Sequence, residues 1–262
     1  MFIDTHAHLW WDSYGDELQS VIARAESAKV LKMIVPGTQV ESSLASIKLA
    51  KKYPKKIFAA VGVHPEETLG EIKFEISELE KMIVDNREWI RAIGEIGIDL
   101  FTEEMQQKLE EQKELFKEQL ELAVKYDLSV IIHTRNSFDE AWEVLNSLPT
   151  LPRGQFHCFS VDEEAVVKVL AAGFYVSFAG NITWSKRVGR LVPLVPDNRL
   201  LLETDSPLMV PRDADGKPIG GTERNEPANV AYLAQKIAEL RGQKVEEVEK
   251  YTTENVNTLY KL

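Results

Sequence analysis

The chain has 262 residues, of which 44% are hydrophobic and 28% are charged, a composition that supports a buried core and excludes disordered and fibrous proteins. A formal net charge of −11 disfavours nonspecific binding of a nucleic acid duplex through a basic face. The single cysteine, Cys158, excludes an internal disulfide. We expect a cytoplasmic protein, because the sequence has no signal segment after Met1 and no uncharged apolar run of roughly 18 residues.

Eight short apolar segments with strand character recur along the chain. In chain order, these predicted strands lie at 1–4, 31–36, 57–63, 91–95, 129–132, 154–156, 174–178 and 200–203. The clearest helical stripe of apolar residues runs from 103 to 126. Further helices are predicted at 77–86, 138–147, 163–172, 227–240 and 245–259. Strand and helix therefore alternate along the chain.

The predicted strands read as unbroken apolar runs, which is typical of strands buried on both faces of a parallel sheet. Eight strand and helix units in about 260 residues match a (β/α)8 TIM barrel in size. A doubly wound open sheet has the same alternation, so the pattern alone leaves both α/β folds open. The irregular stretch 207–224 is followed by only two helices. Two helices are too few for a second domain, and we predict a single domain over 1–262.

Polar side chains with metal-binding chemistry follow the predicted strands. Each of the five histidines comes at or just past the carboxyl end of a strand, and these are His6, His8, His64, His133 and His157. Glu95 ends the fourth strand and Asp205 follows the eighth. In a barrel the carboxyl ends of all strands meet at one rim, where the active site lies. The pattern predicts that these side chains share a site.

A metal site is the chemistry that this set favours. His6 and His8 alternate on an extended segment, so they face the same side with Cα atoms about 6.5 to 7 Å apart, close enough to reach one cation. Glu95 lies between two glycines, and a buried carboxylate needs a cation or donors around it. Asp205 fits a ligand and a turn cap equally well. His64 is followed by Pro65. We predict that it contacts the substrate or the metal ligands rather than binding the metal itself.

Seven segments resemble motifs of the TatD family of metal-dependent deoxyribonucleases, a branch of the amidohydrolase-like barrels. They are DTHAHL at 4–9, GVHP at 62–65, GEIGID at 94–99, IIHTR at 131–135, HCFS at 157–160, LETDSP at 202–207 and RNEP at 224–227. The segments are in order and span most of the chain. The sequence departs from the family pattern at Leu100, at Val161 and in a longer loop before Arg224, and none of these is a ligand position.

The resemblance implies a (β/α)8 barrel with one or two divalent ions, with ligands at His6, His8, Glu95, His133, His157 and Asp205. It implies hydrolysis of DNA phosphodiester bonds by metal-activated water, as a 3′ to 5′ exonuclease on single strands. Asp205 is predicted to act as the general base and Glu95 as a bridging carboxylate. His64, Arg135 and Arg224 are predicted to contact the substrate. Imidazole ligands suit Zn, Mn or Fe better than Mg, while the carboxylates leave Mg and Mn open.

Basic and aromatic residues also fall in the predicted rim loops, a pairing typical of proteins that bind single strands. Adjacent residues of an extended segment point in opposite directions, so at most one of Trp10 and Trp11 is expected to stack on a base. The expected partner is single-stranded DNA or another phosphodiester substrate. We expect the protein to be a monomer or weak oligomer and to have no membrane partner.

Two alternatives stay open at this stage. The first is a hydrolase of a small ester, lactone or amide at the same metals. Many such barrels bridge their metals with a carboxylated lysine, whereas Glu95 holds that place here. The second is a noncatalytic protein whose metal braces the barrel for a partner. Such a structural site would close its coordination sphere with protein ligands, whereas a catalytic site keeps a position for water.

Overall fold

A computed structural model describes residues 1–67 and 71–262. The strands in these ranges are β1 Phe2–Asp4, β2 Val30–Pro36, β3 Ile57–Val61, β4 Ile90–Asp99, β5 Ser129–Arg135, β6 Gly154–Phe156, β7 Tyr175–Phe178 and β8 Leu200–Leu202. All eight lie where the sequence predicts them. β4 and β5 run further than predicted, to Asp99 and Arg135. Each of these two strands therefore carries polar residues at its carboxyl end.

The helices are α1 Leu18–Ser27, α2 Val40–Lys52, α3 Ile72–Asn86, α4 Glu103–Gln107, α5 Leu109–Lys125, α6 Phe138–Ser147, α7 Glu163–Ala171, α8 Lys186–Gly189, α9 Val230–Arg241 and α10 Val245–Tyr260. The helix predicted over 103–126 is divided at Lys108 into α4 and α5. There the Gln112 side chain donates to the carbonyl of Met105 at 2.8 Å. α1, α2 and α8 lie outside the predicted helices. In the described ranges, no helix is long and apolar enough to cross a membrane.

The chain packs as two compact units. The first unit comprises Met1–Val35 and His157–Leu262. In it β1 pairs in parallel with β2, and β7 pairs in parallel with β8. α9 and α10 pack on β1 and β8. Both ends of the chain therefore contribute strands to this unit.

The second unit is the continuous segment Pro36–Phe156. Its strands pair in parallel and in chain order, β3 with β4, β4 with β5 and β5 with β6. The apolar side chains of β4 and β5 are fully buried, among them Ile93, Ile98 and Ile131. This burial accounts for the unbroken apolar runs in the sequence, because neither face of these strands meets solvent.

Candidate metal centre

Four predicted ligands lie together in the first unit, and we call them the first cluster: His6, His8, His157 and Asp205. His6 Nε2 is 3.1 Å from His8 Nε2 and 3.6 Å from Asp205 Oδ1. His8 Nε2 is 3.4 Å from the same oxygen. The ring of His157 stacks on that of His6, with centroids 4.2 Å apart and an interplanar angle of 9°. All four side chains are buried, so nitrogen and oxygen donors converge on one point away from solvent.

The backbone after β1 and β8 brings these ligands together. The amide of Asp205 donates to the carbonyl of His6 at 2.9 Å, and the amide of His8 donates to the carbonyl of Ser206 at 2.7 Å. Asp205 has φ +55°, a left-handed conformation that aspartate tolerates better than most residues. The two segments thus continue the parallel pairing beyond the strands, and that pairing sets the spacing of the ligands.

A fully buried acid, Asp4, supports this arrangement from behind. Its Oδ1 accepts from the amides of His6 and Thr204 at 3.1 and 3.0 Å, and its Oδ2 accepts from the Thr204 hydroxyl at 2.6 Å. Burial raises the pKa of Asp4 to about 8, although these hydrogen bonds oppose the rise. Asp4 therefore joins the segment that carries His6 to the segment that carries Asp205.

The carboxyl of Asp205 has the opposite electrostatic character. Burial tends to raise its pKa, but the hydrogen bond with His8 and the charges of the neighbouring imidazoles more than offset this, and its pKa lies below the usual value. The anionic form is the one that binds a cation or accepts a proton. Asp205 thus has the charge that either role requires.

Three further residues form the second cluster, in the second unit: His64, Glu95 and His133. Glu95 Oε1 lies 3.1 Å from His133 Nδ1 and 3.4 Å from His64 Nε2. The two rings meet edge to face, with centroids 4.5 Å apart. The possible ligand atoms of the three side chains lie within 4.8 Å of one another. Glu95 is only 4% exposed, so its charge is compensated by these neighbours rather than by water.

The second nitrogen of each imidazole distinguishes the two histidines. His133 Nε2 is 2.9 Å from Asp99 Oδ2, and a carboxylate oxygen can only accept, so Nε2 carries a proton. His133 Nδ1 faces Glu95 Oε1 at 3.1 Å, where a bound cation would take the place of a proton. His64 Nδ1 accepts from the amide of Glu66 at 3.2 Å, so its proton is on Nε2. His133 can therefore bind a metal through Nδ1, whereas His64 presents a donor.

Two glycines allow β4 to pass close to β5 on either side of Glu95. A Cβ atom at Gly94 would lie 2.6 Å from Cβ of Ile131, and one at Gly97 would lie 2.0 Å from the carbonyl oxygen of His133. Gly97 also has φ +150°, a backbone angle that L residues with a side chain rarely adopt. The glycines on both sides of Glu95 thus position its carboxylate against His133.

The predicted substrate-binding arginines both have protein partners. Arg135 Nε lies 2.8 Å from Asp99 Oδ2, and its guanidinium also bonds Glu66 and stacks on Phe101 at 4.4 Å. Asp99 is buried, which tends to raise its pKa, but His133 and Arg135 hold the pKa below its usual value. The side chain of Arg135 is still 42% exposed. One face of this guanidinium therefore reaches solvent beside the second cluster.

Arg224 lies in the first unit, and its guanidinium is paired with protein groups. It donates to the carbonyl of Ser13 and to Glu17 Oε2, and it lies over the ring of Tyr14 at 5.2 Å. Its side chain is 26% exposed. Arg224 thus joins the loop after β8 to the segment after β1.

The two tryptophans after His8 differ from the prediction. Their rings are stacked on each other, with centroids 5.8 Å apart and an interplanar angle of 4°, and both meet the His8 ring edge to face. The expectation that Trp10 and Trp11 point in opposite directions is wrong, because the chain turns here. The amide of Trp11 donates to the carbonyl of His8 at 3.1 Å, so the segment is not extended.

The donor chemistry of both clusters fits a divalent ion. Two atoms each bound at 2.0 to 2.2 Å to one tetrahedral ion lie roughly 3.3 Å apart, and the donor pairs in the clusters lie 3.1 to 3.6 Å apart. Buried imidazoles and carboxylates at the strand ends of a parallel α/β fold define the class of metal-dependent hydrolases.

Comparison with known proteins gives the family. The model of the TatD-related DNase family matches residues 3–261. The chain is 35% identical to the uncharacterised metal-dependent hydrolase YabD of Bacillus subtilis over 100% of both chains. It is 32% identical to the 3′-5′ ssDNA/RNA exonuclease TatD of Erwinia billingiae, covering 99% of this chain and 98% of that one. The chain therefore belongs to the TatD family.

The solved structures agree with this assignment. The crystal structure of YjjV, a TatD homologue from Escherichia coli, matches with a TM-score of 0.88 and 31% identity, over 100% of this chain and 98% of that one. The predicted resemblance, the TIM-barrel fold class and the class of metal-dependent hydrolase are confirmed. The single domain over 1–262 and the state of monomer or weak oligomer stay predictions.

Proposed function

We propose that this protein hydrolyses the phosphodiester bonds of single-stranded nucleic acid from the 3′ end. One or two divalent ions, Mg, Mn or Zn, would be held by His6, His8, His157 and Asp205 in the first unit and by Glu95 and His133 in the second. The observation that carries the proposal is the convergence of buried donors in the first cluster, at 3.1 to 3.6 Å. The relatives named as 3′-5′ ssDNA/RNA exonucleases support the choice of substrate.

The charge balance of the ligands favours a phosphate substrate. Two divalent ions would bring +4 and the carboxylates of Glu95 and Asp205 −2, so the ligand set stays positive although the whole chain has a net charge of −11. Bound divalent ions lower the pKa of water and offset the negative charge of a phosphoryl transition state. Asp205, held as an anion by the neighbouring imidazoles, accepts the proton of the attacking water. Glu95 would hold a divalent ion together with His133.

Three side chains are proposed to bind the substrate. His64 presents its Nε2 proton beside Glu95 and can donate to a phosphate oxygen. Arg135 contributes the exposed face of a guanidinium whose position Asp99 and Glu66 fix. Arg224 contributes a positive charge next to the segment that carries Trp11. Each of these contacts recognises phosphate or an unpaired nucleotide rather than a base sequence.

The test is cleavage of single-stranded DNA and RNA labelled at either end. The enzyme is stripped with a chelator and resupplied with Mg, Mn or Zn, beside His6→Ala, Glu95→Gln and the control Glu110→Gln, whose side chain is 87% exposed. We expect metal-dependent shortening from the 3′ end, lost in the two ligand variants and kept in the control. Intact substrate with every metal would contradict the proposal and favour the hydrolysis of a small ester, lactone or amide.

A further inference from the structure

Glu203 is the first residue after β8, and its side chain is fully buried. A buried carboxylate is costly unless donors meet its oxygens. The proposed ligands and the proposed base include Asp205, two residues further on, but they leave Glu203 without a role. Its contacts explain why a carboxylate lies here.

The carboxylate of Glu203 meets a backbone amide, a hydroxyl and an imidazole. Its Oε1 accepts from the amide of Cys158 at 2.6 Å, and its Oε2 accepts from the Ser177 hydroxyl on β7 at 2.6 Å. The same Oε1 lies 3.5 Å from Nδ1 of His157. The two short hydrogen bonds fix the carboxylate in place. At 3.5 Å the third contact is not a hydrogen bond, but it places Nδ1 beside a carboxylate oxygen.

The orientation of the ring decides which nitrogen can bind a metal. A neutral imidazole carries its proton on one nitrogen and a lone pair on the other. A carboxylate next to Nδ1 favours the proton there, so the lone pair is on Nε2. The His157 ring is also stacked on His6, which opposes rotation about χ2. Possible ligand atoms of His157, His6 and Asp205 lie within 4.8 Å of one another.

We infer that Glu203 is a positioning residue, whose carboxylate holds His157 in the tautomer with Nε2 available to a metal ion. The inference rests on the proposed function in one respect, that His157 is a metal ligand. Carboxylates that orient a ligating imidazole in this way contribute 10- to 100-fold to metal affinity in other proteins. Ser177 belongs to the same arrangement, because its hydroxyl holds the other oxygen of Glu203.

The first readout is the tautomer of His157 in the protein stripped of metal. Five histidines give a simple spectrum when they alone are labelled with ¹⁵N, and His157→Gln assigns the signal at pH 8. We expect a protonated Nδ1 in the wild type and in the control Glu223→Gln, which removes an exposed carboxylate that pairs with Arg212. In Glu203→Gln we expect a mixture of both tautomers.

The second readout is the affinity for Zn²⁺, measured by calorimetry on the stripped protein. Glu203→Gln is expected to bind 10- to 100-fold more weakly, Ser177→Ala a few-fold more weakly, and Glu223→Gln like the wild type. A purely structural Glu203 would lower the melting temperature of Glu203→Gln without changing tautomer or affinity, and that result overturns the inference.

If Glu203→Gln does not fold, the same two measurements on Ser177→Ala test the inference. A wild-type tautomer of His157 together with a wild-type Zn²⁺ affinity in Ser177→Ala also overturns it. Neither readout involves cleavage of nucleic acid. A protein that cleaves no DNA but shows the tautomer change would contradict the proposed substrate and support the role of Glu203.

Discussion

The first and second clusters are built from the same residue types but are held in different ways. In the first cluster, imidazole and carboxylate atoms face one another, and Asp4 fixes the backbone that carries them. In the second cluster the far nitrogens of the two imidazoles have partners of opposite kind, the acceptor Asp99 for His133 and the Glu66 amide, a donor, for His64. The difference teaches that a histidine near a carboxylate is not by itself a ligand, because the partner of the other nitrogen decides what the ring offers.

The largest expected effect is the loss of activity when Asp205, the proposed base in the first cluster, is replaced. Asp205→Asn removes both an anionic ligand and the proton acceptor, so we expect kcat on single-stranded DNA to fall about 10³-fold. Asp215→Asn, at an exposed loop position, is the matched control and keeps wild-type kcat. Rates within tenfold of the wild type in Asp205→Asn would show that the base is elsewhere.

A second pair of variants tests the contrast inside the second cluster. His133→Ala removes a lone pair and is expected to weaken Zn²⁺ binding at least about 100-fold. His64→Ala removes a donor and is expected to leave Zn²⁺ affinity within about twofold while raising KM. Calorimetry on the stripped protein and steady-state kinetics measure the two effects. Equal losses of Zn²⁺ affinity in both variants would refute the assignment of the tautomers.

The rise in thermal stability on metal binding compares the two clusters. An ion at 100 times its Kd stabilises the folded state by about 2.7 kcal/mol, which for a chain of this size raises Tm by roughly 5 to 10 °C. Scanning fluorimetry with and without Zn²⁺ gives this rise for the wild type. His6→Ala and His133→Ala should each keep part of it if the clusters bind separate ions. Complete loss of the rise in both variants would contradict binding of separate ions.

The smallest expected effect concerns the aromatic side chains beside each cluster. Trp11 is 38% exposed and stacks on Trp10 beside His8, whereas Phe101 is 60% exposed and covered by Arg135. Stacking of a base on an aromatic ring contributes about 1 to 3 kcal/mol, so Trp11→Ala should raise KM for a short DNA strand about tenfold. Phe101→Ala should raise it less. The opposite ranking would transfer the stacking role to the second unit.

The sequence predicts the strands and the residues at their ends well, because strands buried on both faces leave unbroken apolar runs. It does not predict α1 or α2, since the residues before them, Glu17 and Gln39, make no side-chain cap. The tautomer of His64 depends on the amide of Glu66, which a short 3₁₀ turn over Pro65–Glu67 brings into place. Such local turns have no periodic pattern, so their consequences emerge only in three dimensions.

The first unit is formed by two segments that lie far apart in the sequence, and this affects when it can be completed during biosynthesis. His64 and His133 of the second cluster belong to one continuous segment, Pro36–Phe156. His6 is made early, but Asp205 follows roughly 200 residues later, which at 5 to 20 residues per second is about 10 to 40 s. A nascent or truncated chain therefore lacks the proposed base and much of the first cluster. Capacity for hydrolysis is thus acquired only after Asp205 has been made.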